Sequence, residues 1–323
     1  MKNITIPLMR ALLALAVVLG LGFFFHAEGA FHSWGTHRDV FRSMAVYGIL
    51  ACGMTIVIVS GGIDLSVGSV LAVASVAYCI FAIRLEWSPV FAVAGALGLA
   101  ALAGFISGGL IAKFNMQPFI ATLAMMVFSR GFAKWMSDGQ KVSTTVVDEA
   151  GNYSYVDPPA LFKILDTKIL DGNLFMVTVI FLVCVLVTAI VLSRMTWGRY
   201  LFAIGGNEEA ARLCRVPVGL TKVLAYGYCA LLAGIAGICQ AAQETQGDPN
   251  AGITYELNAI AMVVIGGTSL AGGRGGVGLT LVGVLTISYL EKILSINAVG
   301  EPTRNMLTGL IIVIAVLFQR SRR

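Results

Sequence analysis

Long apolar runs separated by short polar or glycine-rich breaks fill this chain. They fall at about residues 8–25, 43–60, 66–83, 89–112, 118–136, 173–193, 223–242, 257–270, 277–294 and 305–319. Crossing a hydrocarbon core of about 30 Å takes roughly 20 apolar residues in a helix, with a range of about 17–25. The pattern therefore predicts an all-α, polytopic integral membrane protein with about ten transmembrane helices, and treats 1–323 as a single transmembrane domain. The run at 257–270 is too short to cross comfortably and is expected to be broken or re-entrant. Lys2 and Arg10 before the apolar stretch Ala11–Phe25 resemble a signal peptide. However, Ala27-Glu28-Gly29-Ala30 is a poor cleavage site and many spans follow, so the stretch reads as a retained first helix, extended by Leu8 and Met9.

Composition strengthens this reading. Hydrophobic residues make up 58% of the chain and charged residues only 12%, with a mean hydropathy of +0.87. Soluble domains carry roughly twice that share of charge, about 25%, so a soluble enzyme, a disordered regulator and a disulfide scaffold are all excluded. The 37 glycines suit close helix packing in lipid. Small residues at four-residue spacing mark two such faces, Ala96–Ala100–Gly104–Gly108 and Ala233–Gly237–Ala241. Five of the six cysteines lie in apolar runs and none forms a C-x-x-C pair, so they read as small buried hydrophobes. The net charge of +5 is scattered between spans, which argues against a nucleic-acid partner.

Basic residues set the orientation. Arg194, Arg199, Arg212, Arg215 and Lys222 crowd one inter-span segment, and Arg320, Arg322 and Arg323 end the chain. The positive-inside rule places both on the cytoplasmic side, with both termini. Residues 137–172 then lie outside. This polar segment holds Asp148, Glu149, Asp157 and Pro158-Pro159. Its stretch Ala160–Leu170 carries an apolar stripe (Leu161, Ile164, Leu165) that predicts a short helix lying on the membrane surface. Segment 137–172 reads either as a connector or as a contact surface for an external protein.

The inner segment 195–222 specifies a capped helix. Gly205-Gly206 are expected to turn, and Asn207 to cap the helix N-terminus. Glu208 and Glu209 favour its positive end, Ala210 and Ala211 continue it, and Pro217 and Gly219 stop it. A short, charged, rigid helix on the inner face suits the grip of a cytoplasmic partner, though an amphipathic connector would read the same way.

The chain contains no G-x-x-x-x-G-K-[ST], so it has no P-loop for ATP. No G-x-S-x-G, H-E-x-x-H or rhomboid-like Ser/His pair is present, and no catalytic residue or cofactor is expected. His26, His32 and His37 cluster without cysteine or acidic ligands at metal spacing, so no metal site is expected either. The strongest chemical pointer is Asp64, set between apolar runs in Ser60-Gly61-Gly62-Ile63-Asp64-Leu65-Ser66-Val67-Gly68-Ser69. An intramembrane acid is costly unless it faces a cavity or a partner. Gly61 and Gly62 allow the backbone to break, Asp64 or Ser66 can cap the next helix, and Asp64 can line or gate a polar pathway. A second break, Gly266–Gly273, overlays on Gly61–Gly68 with a shared Gly-Gly pair, a Leu three residues on and a Gly three beyond that. Paired glycine breaks of this kind build central sites in transporter folds.

Three stretches carry a family resemblance: Gly53-Met54-Thr55 through Ser69; Ala203-Ile204-Gly205-Gly206-Asn207 with Ala210-Ala211; and Glu256-Leu257-Asn258-Ala259-Ile260-Ala261 through Gly275. Pro118–Leu123 supports them. From about residue 43 onward the chain resembles the membrane permease subunit of ABC importers for ribose and related monosaccharides. The resemblance implies about ten helices, a second permease copy (homodimer or paralogous heterodimer), a cytoplasmic ATPase pair, a soluble sugar-binding protein on the outer face, and residence in the bacterial inner membrane. It makes Asp64, Gly61, Gly62, Ser66, Asn258, Gly266 and Gly267 candidates for the translocation pathway or gate. It makes Gly205, Gly206, Asn207, Glu208, Ala210 and Ala211 candidates for coupling to the ATPase. Cys214-Arg215-Val216-Pro217 replaces the usual Gly-Ile after the Ala-Ala pair, and the outer loop is long.

Permeases for branched-chain amino acids or nucleosides, of related fold, are the alternative within this class. An ion-coupled secondary transporter would have Asp64 as its one clear proton or ion site, and would leave the inner helix without a purpose. A membrane enzyme lacks visible machinery.

Overall fold

The computed structural model describes residues 2–147 and 153–320. Asp148, Glu149, Arg322 and Arg323 fall outside the described residues. The helices, in chain order, are α1 (Lys2–Phe24), α2 (Trp34–Val59), α3 (Val67–Cys79), α4 (Pro89–Lys113), α5 (Pro118–Met136), α6 (Ala160–Leu165), α7 (Met176–Arg194), α8 (Thr196–Gly206), α9 (Glu208–Leu213), α10 (Val218–Glu244), α11 (Tyr255–Gly266), α12 (Val277–Ile296) and α13 (Glu301–Arg320). Among the described residues, seven are long and apolar enough to cross a membrane: α1, α2, α3 with the π-turn that extends it to Arg84, α4, α7, α10 and α12. The protein is an all-α, multi-pass membrane protein.

Three expected spans are not among these seven: 118–136, 257–270 and 305–319, the last of which lies in α13. Helix α5 matches the expected 118–136 in length but carries Arg130 and Lys134. Helix α11 has only 12 residues, about 18 Å at 1.5 Å each, so the run at 257–270 does not span as a helix. Helix α2 begins nine residues before its expected start. The polar stretch Trp34–Asp39 hides it from a hydropathy reading, and the Ser33 side chain caps it by accepting the Thr36 N–H at 3.3 Å.

The chain divides into two compact groups. One comprises residues 1–62, 180–218 and 257–323, the other 63–179 and 219–256. In the first, α12 packs on α1 and α2, and α2 packs on α8. In the second, α3 is the centre and all 13 of its residues are buried. Helices α4 and α5 pack on it, and so does α10, which brings Gly237 against the Leu71 carbonyl. Helix α4 shows how lipid shapes a surface. It buries Ala92, Ala96, Ala100, Gly104 and Gly108 and exposes Phe91, Leu102, Phe105 and Ile106. A methyl on Gly104 would collide with Ala230 and the Tyr226 carbonyl of α10. Both small-residue faces expected from spacing therefore serve close helix contacts.

The segment after α5 forms short antiparallel pairs: β1 (Val142–Ser143) with β6 (Gln246–Gly247), β2 (Thr145–Val147) with β3 (Tyr153–Tyr155), and β4 (Lys168–Ile169) with β5 (Leu174–Phe175). The expected surface helix stops at Leu165. It buries Phe162 and Leu165, with Phe162 against the Tyr78 ring at 5.5 Å, while Ile164 is exposed. Of the stripe read from spacing, Leu165 is buried and Ile164 is not, because Phe162 takes the contact with the end of α3. The six cysteines are unbridged, and all but Cys214 are buried. His26 and His32 sit ring to ring at 5.7 Å.

Candidate functional site

The first break is built by the end of α2. The Gly61 N–H donates to the Ile58 carbonyl and the Gly62 N–H to that of Val57. Gly61 takes φ +83°, a conformation that glycine adopts without a Cβ penalty. In the connection that follows, Asp64 Oδ1 accepts both the Ser66 N–H at 2.9 Å and the Ser66 O–H at 2.6 Å. Asp64 is 1% exposed. Its Oδ2 has no hydrogen-bond partner among the described residues, and neither does the buried hydroxyl of Tyr226. The Cys229 thiol lies beside the carboxyl. Burial pushes the Asp64 carboxyl above its ordinary range, and the two Ser66 bonds oppose the shift. Thr122 on α5 steadies the connection by donating to the Ile63 carbonyl at 3.3 Å. Asp64 thus shapes the turn before α3. Ser66 occupies the N-cap position but makes no side-chain cap bond, so the direct cap expected from sequence is replaced by a turn held one step earlier.

The second break repeats this local chemistry. The Gly267 N–H donates to the Val264 carbonyl and the Thr268 N–H to that of Val263, and Gly267 has φ +107°. The Ser269 Oγ accepts the Ala271 N–H at 3.3 Å. The sequence overlay sets Asp64 on Ser269 and Ser66 on Ala271, and these two pairs make the same side-chain-to-N–H turn. The helix ends are offset by one residue, with Gly61 matching Gly267 in hydrogen bonding. Gly266 is pressed against the Leu279 carbonyl of α12. Asn258 is half-buried on α11.

The coupling candidates form the best-defined element. Asn207 Oδ1 accepts the Ala210 N–H at 3.0 Å, capping α9, and Glu208 pairs with Arg212 at 3.1 Å. The chain leaves α9 at Cys214, and Arg215 takes φ 59°. The helix therefore ends before Pro217 and Gly219, which belong to the entry into α10. Gly205 and Gly206 are not a turn. They are the last residues of α8, and extended Asn207 makes the turn. Gly205 lies against the Val59 carbonyl and Gly273, and Gly272 lies against Gly205 and Gly61. The Gly273 N–H donates to the Val59 carbonyl at 2.9 Å. Three glycine stretches singled out separately in the sequence thus meet backbone to backbone at the end of α2.

The two alanines of α9 divide. Ala210 is exposed, whereas Ala211 is buried with Ile204 and Val218, with Val216 packed against them. Ala211 belongs to the element's own core and offers no surface. Sequence reasoning missed Leu213, which is 86% exposed at the end of α9. An apolar side chain at the end of a charged helix was its one signal.

The chain belongs to the family described as branched-chain amino acid transport system / permease component, which matches residues 38–316. It is 36% identical over 285 residues to the ribose import permease protein of Escherichia coli (strain K12), covering 88% of this chain and 85% of that protein. It is 35% identical over 285 residues to the L-arabinose transport system permease protein of Escherichia coli (strain K12), covering 87% and 81%. It is 32% identical over 317 residues to the fructose import permease protein of Rhizobium meliloti, covering 96% and 82%. No solved structure matches the chain.

Proposed function

We propose that this chain is the membrane-spanning subunit of an ATP-driven importer that carries a monosaccharide, a pentose or hexose, across the bacterial inner membrane. The carrying observation is the near full-length likeness to permeases named for three different sugars. In this reading a separate ATPase supplies the energy, a soluble binding protein delivers the sugar to the outer face, and a second permease copy completes the pathway. The chain itself catalyses no reaction. Both termini and α8–α9 face the cytoplasm, and 137–172 faces outward. The family's description keeps a branched-chain amino acid as the alternative cargo. Uptake assays with the cognate ATPase and binding protein, run with labelled ribose, arabinose, fructose and leucine, decide between them. Sugar uptake that requires ATP is expected. Uptake of leucine alone would overturn the sugar reading.

Helix α9 is then the ATPase contact, with Leu213 as its apolar anchor and Ala210 as its close-approach point. Leu213→Asp changes only an exposed side chain, so the permease should insert and fold as before. Loss of a buried interface anchor typically costs about 2 kcal/mol or more, so co-purification of the ATPase should fall at least about tenfold. Ala210→Leu should do the same by obstruction, since leucine keeps good helix propensity. Ala211→Leu cannot serve as this test because it would overpack the Ile204–Val218 cluster. Unchanged co-purification with both Leu213→Asp and Ala210→Leu would make α9 a connector.

A further inference from the structure

The segment between α10 and α11 runs along the body of α3. Gly247 lies against Ser75, Val76 and Cys79, and Gly252 lies against Gly68. Between these two points the chain descends about 12 Å, eight residues of α3 at about 1.5 Å each. The whole descent runs alongside the span Val67–Arg84. It is irregular backbone with Asn250 exposed, and Ile253 and Thr254, just past Gly252, are exposed as well. At membrane depth such backbone is tolerated only where protein buries it or where it lines a water-filled cavity. Protein already satisfies part of it, since Asp248 Oδ1 accepts the Asn250 N–H at 2.7 Å, and its exposed residues face either a partner surface or water.

The charges agree. Arg130 of α5 clamps the segment, its Nη1 donating to the Pro249 and Ala251 carbonyls at 2.7 Å each. Arg130 and Glu256 lie within electrostatic reach of each other. Both line a cleft of about 330 Å³ with Met126, Val127, Lys134 and Ile253. That volume sits at the lower end of roughly 300–1,000 Å³ for small-molecule sites. A carboxylate can accept hydrogen bonds from two neighbouring hydroxyls. A guanidinium has five N–H donors, so three remain beyond the two held by the carbonyls. Apolar Met126, Val127 and Ile253 suit the C–H face of a sugar ring.

We propose that this cleft between α5 and residues 248–256 is a wet station on the transport path, where Arg130 and Glu256 hold the hydroxyls of a monosaccharide in transit. The proposal rests on the importer reading above and names a contact point for its cargo.

Two measurements test it and separate it from that reading. In a Cys214→Ser background, Val127→Cys and Ile253→Cys are treated in native membranes with a charged methanethiosulfonate or with a lipid-soluble maleimide. The charged reagent should modify both, and the transported sugar of the ribose, arabinose and fructose panel should slow it. Modification by the lipid-soluble reagent alone means that the cleft faces lipid, and modification indifferent to every sugar means that no sugar stops there. Either overturns the station. Glu256→Gln spares the Arg130 clamp. It should lower uptake about tenfold through loss of charge-assisted bonds, with ATPase co-purification and binding-protein-stimulated ATP hydrolysis unchanged and partial rescue by Glu256→Asp. Undiminished uptake in Glu256→Gln overturns the station while leaving the importer reading intact. Absence of any sugar uptake by the parent chain overturns both.

Discussion

Asp64→Ala is expected to abolish most uptake while the chain still inserts in the membrane, and Asp64→Asn to retain uptake. Both expectations follow from one oxygen. Asp64 Oδ1 accepts the N–H and the O–H of Ser66 in a site where the residue is 1% exposed. Alanine strands both donors, and each buried unsatisfied group costs about 1–3 kcal/mol. The turn that sets the start of α3 loosens, and all of α3 is buried at the centre of its group. Asparagine keeps the acceptor and removes the charge. Burial holds the carboxyl above its ordinary range, so the neutral form suits the fold and asparagine resembles it. The sign follows. The folded chain binds this proton more tightly than the unfolded chain, so the carboxyl lowers stability as pH rises from the ordinary value of ~3.9 to the raised one, and not further above it. Unfolding of the detergent-purified chain across that window should show the decline in the parent and a flatter profile in Asp64→Asn. If Asp64→Asn loses uptake as completely as Asp64→Ala, the charge itself works in the pathway and the turn account fails.

Much of this architecture was legible in the sequence because lipid restricts it so strongly. Runs of apolar residues must be helices when no water is present to satisfy the backbone, and the small-residue spacings on α4 and α10 could only mark close contacts. The Asn207 cap was equally readable because its partner, the Ala210 N–H, lies three residues away. Features that depend on distant partners were not. The polar start of α2 carries no hydropathy signal. Ala211 looked like Ala210 until Ile204 and Val218 closed over it. Nothing local in residues 248–256 told that Gly252 would meet Gly68 or that Arg130 would reach across from α5. The internal repeat was visible in the sequence, but its meaning, two matching side-chain turns at 64–66 and 269–271, needed the hydrogen bonds.

Gly205 and Gly206 look interchangeable in sequence, and the fold makes them opposite. Gly206→Ala is expected to be harmless, since a methyl there meets nothing within 4 Å. Alanine also has the better helix propensity, by up to about 1 kcal/mol in a helix interior and less at an end. Gly205→Ala would place its methyl onto the Val59 carbonyl and against the Gly273 amide. Those two groups share the hydrogen bond that ties the 267–276 loop to the end of α2. All the colliding atoms are backbone, so no rotamer can yield, and overpacking of this kind typically costs about 1–3 kcal/mol or more. The junction joins α8, which leads directly into α9, to both glycine breaks. Prying it open should therefore uncouple ATP hydrolysis from transport before it unfolds the chain. The expected result for Gly205→Ala is a membrane-inserted permease that still co-purifies with the ATPase through exposed Leu213 and Ala210. Its uptake should fall by about tenfold or more, as a barrier change of about 1.4 kcal/mol requires. Gly206→Ala should match the parent in both assays. Equal uptake by the two variants would mean that the glycine junction transmits nothing and only fills space.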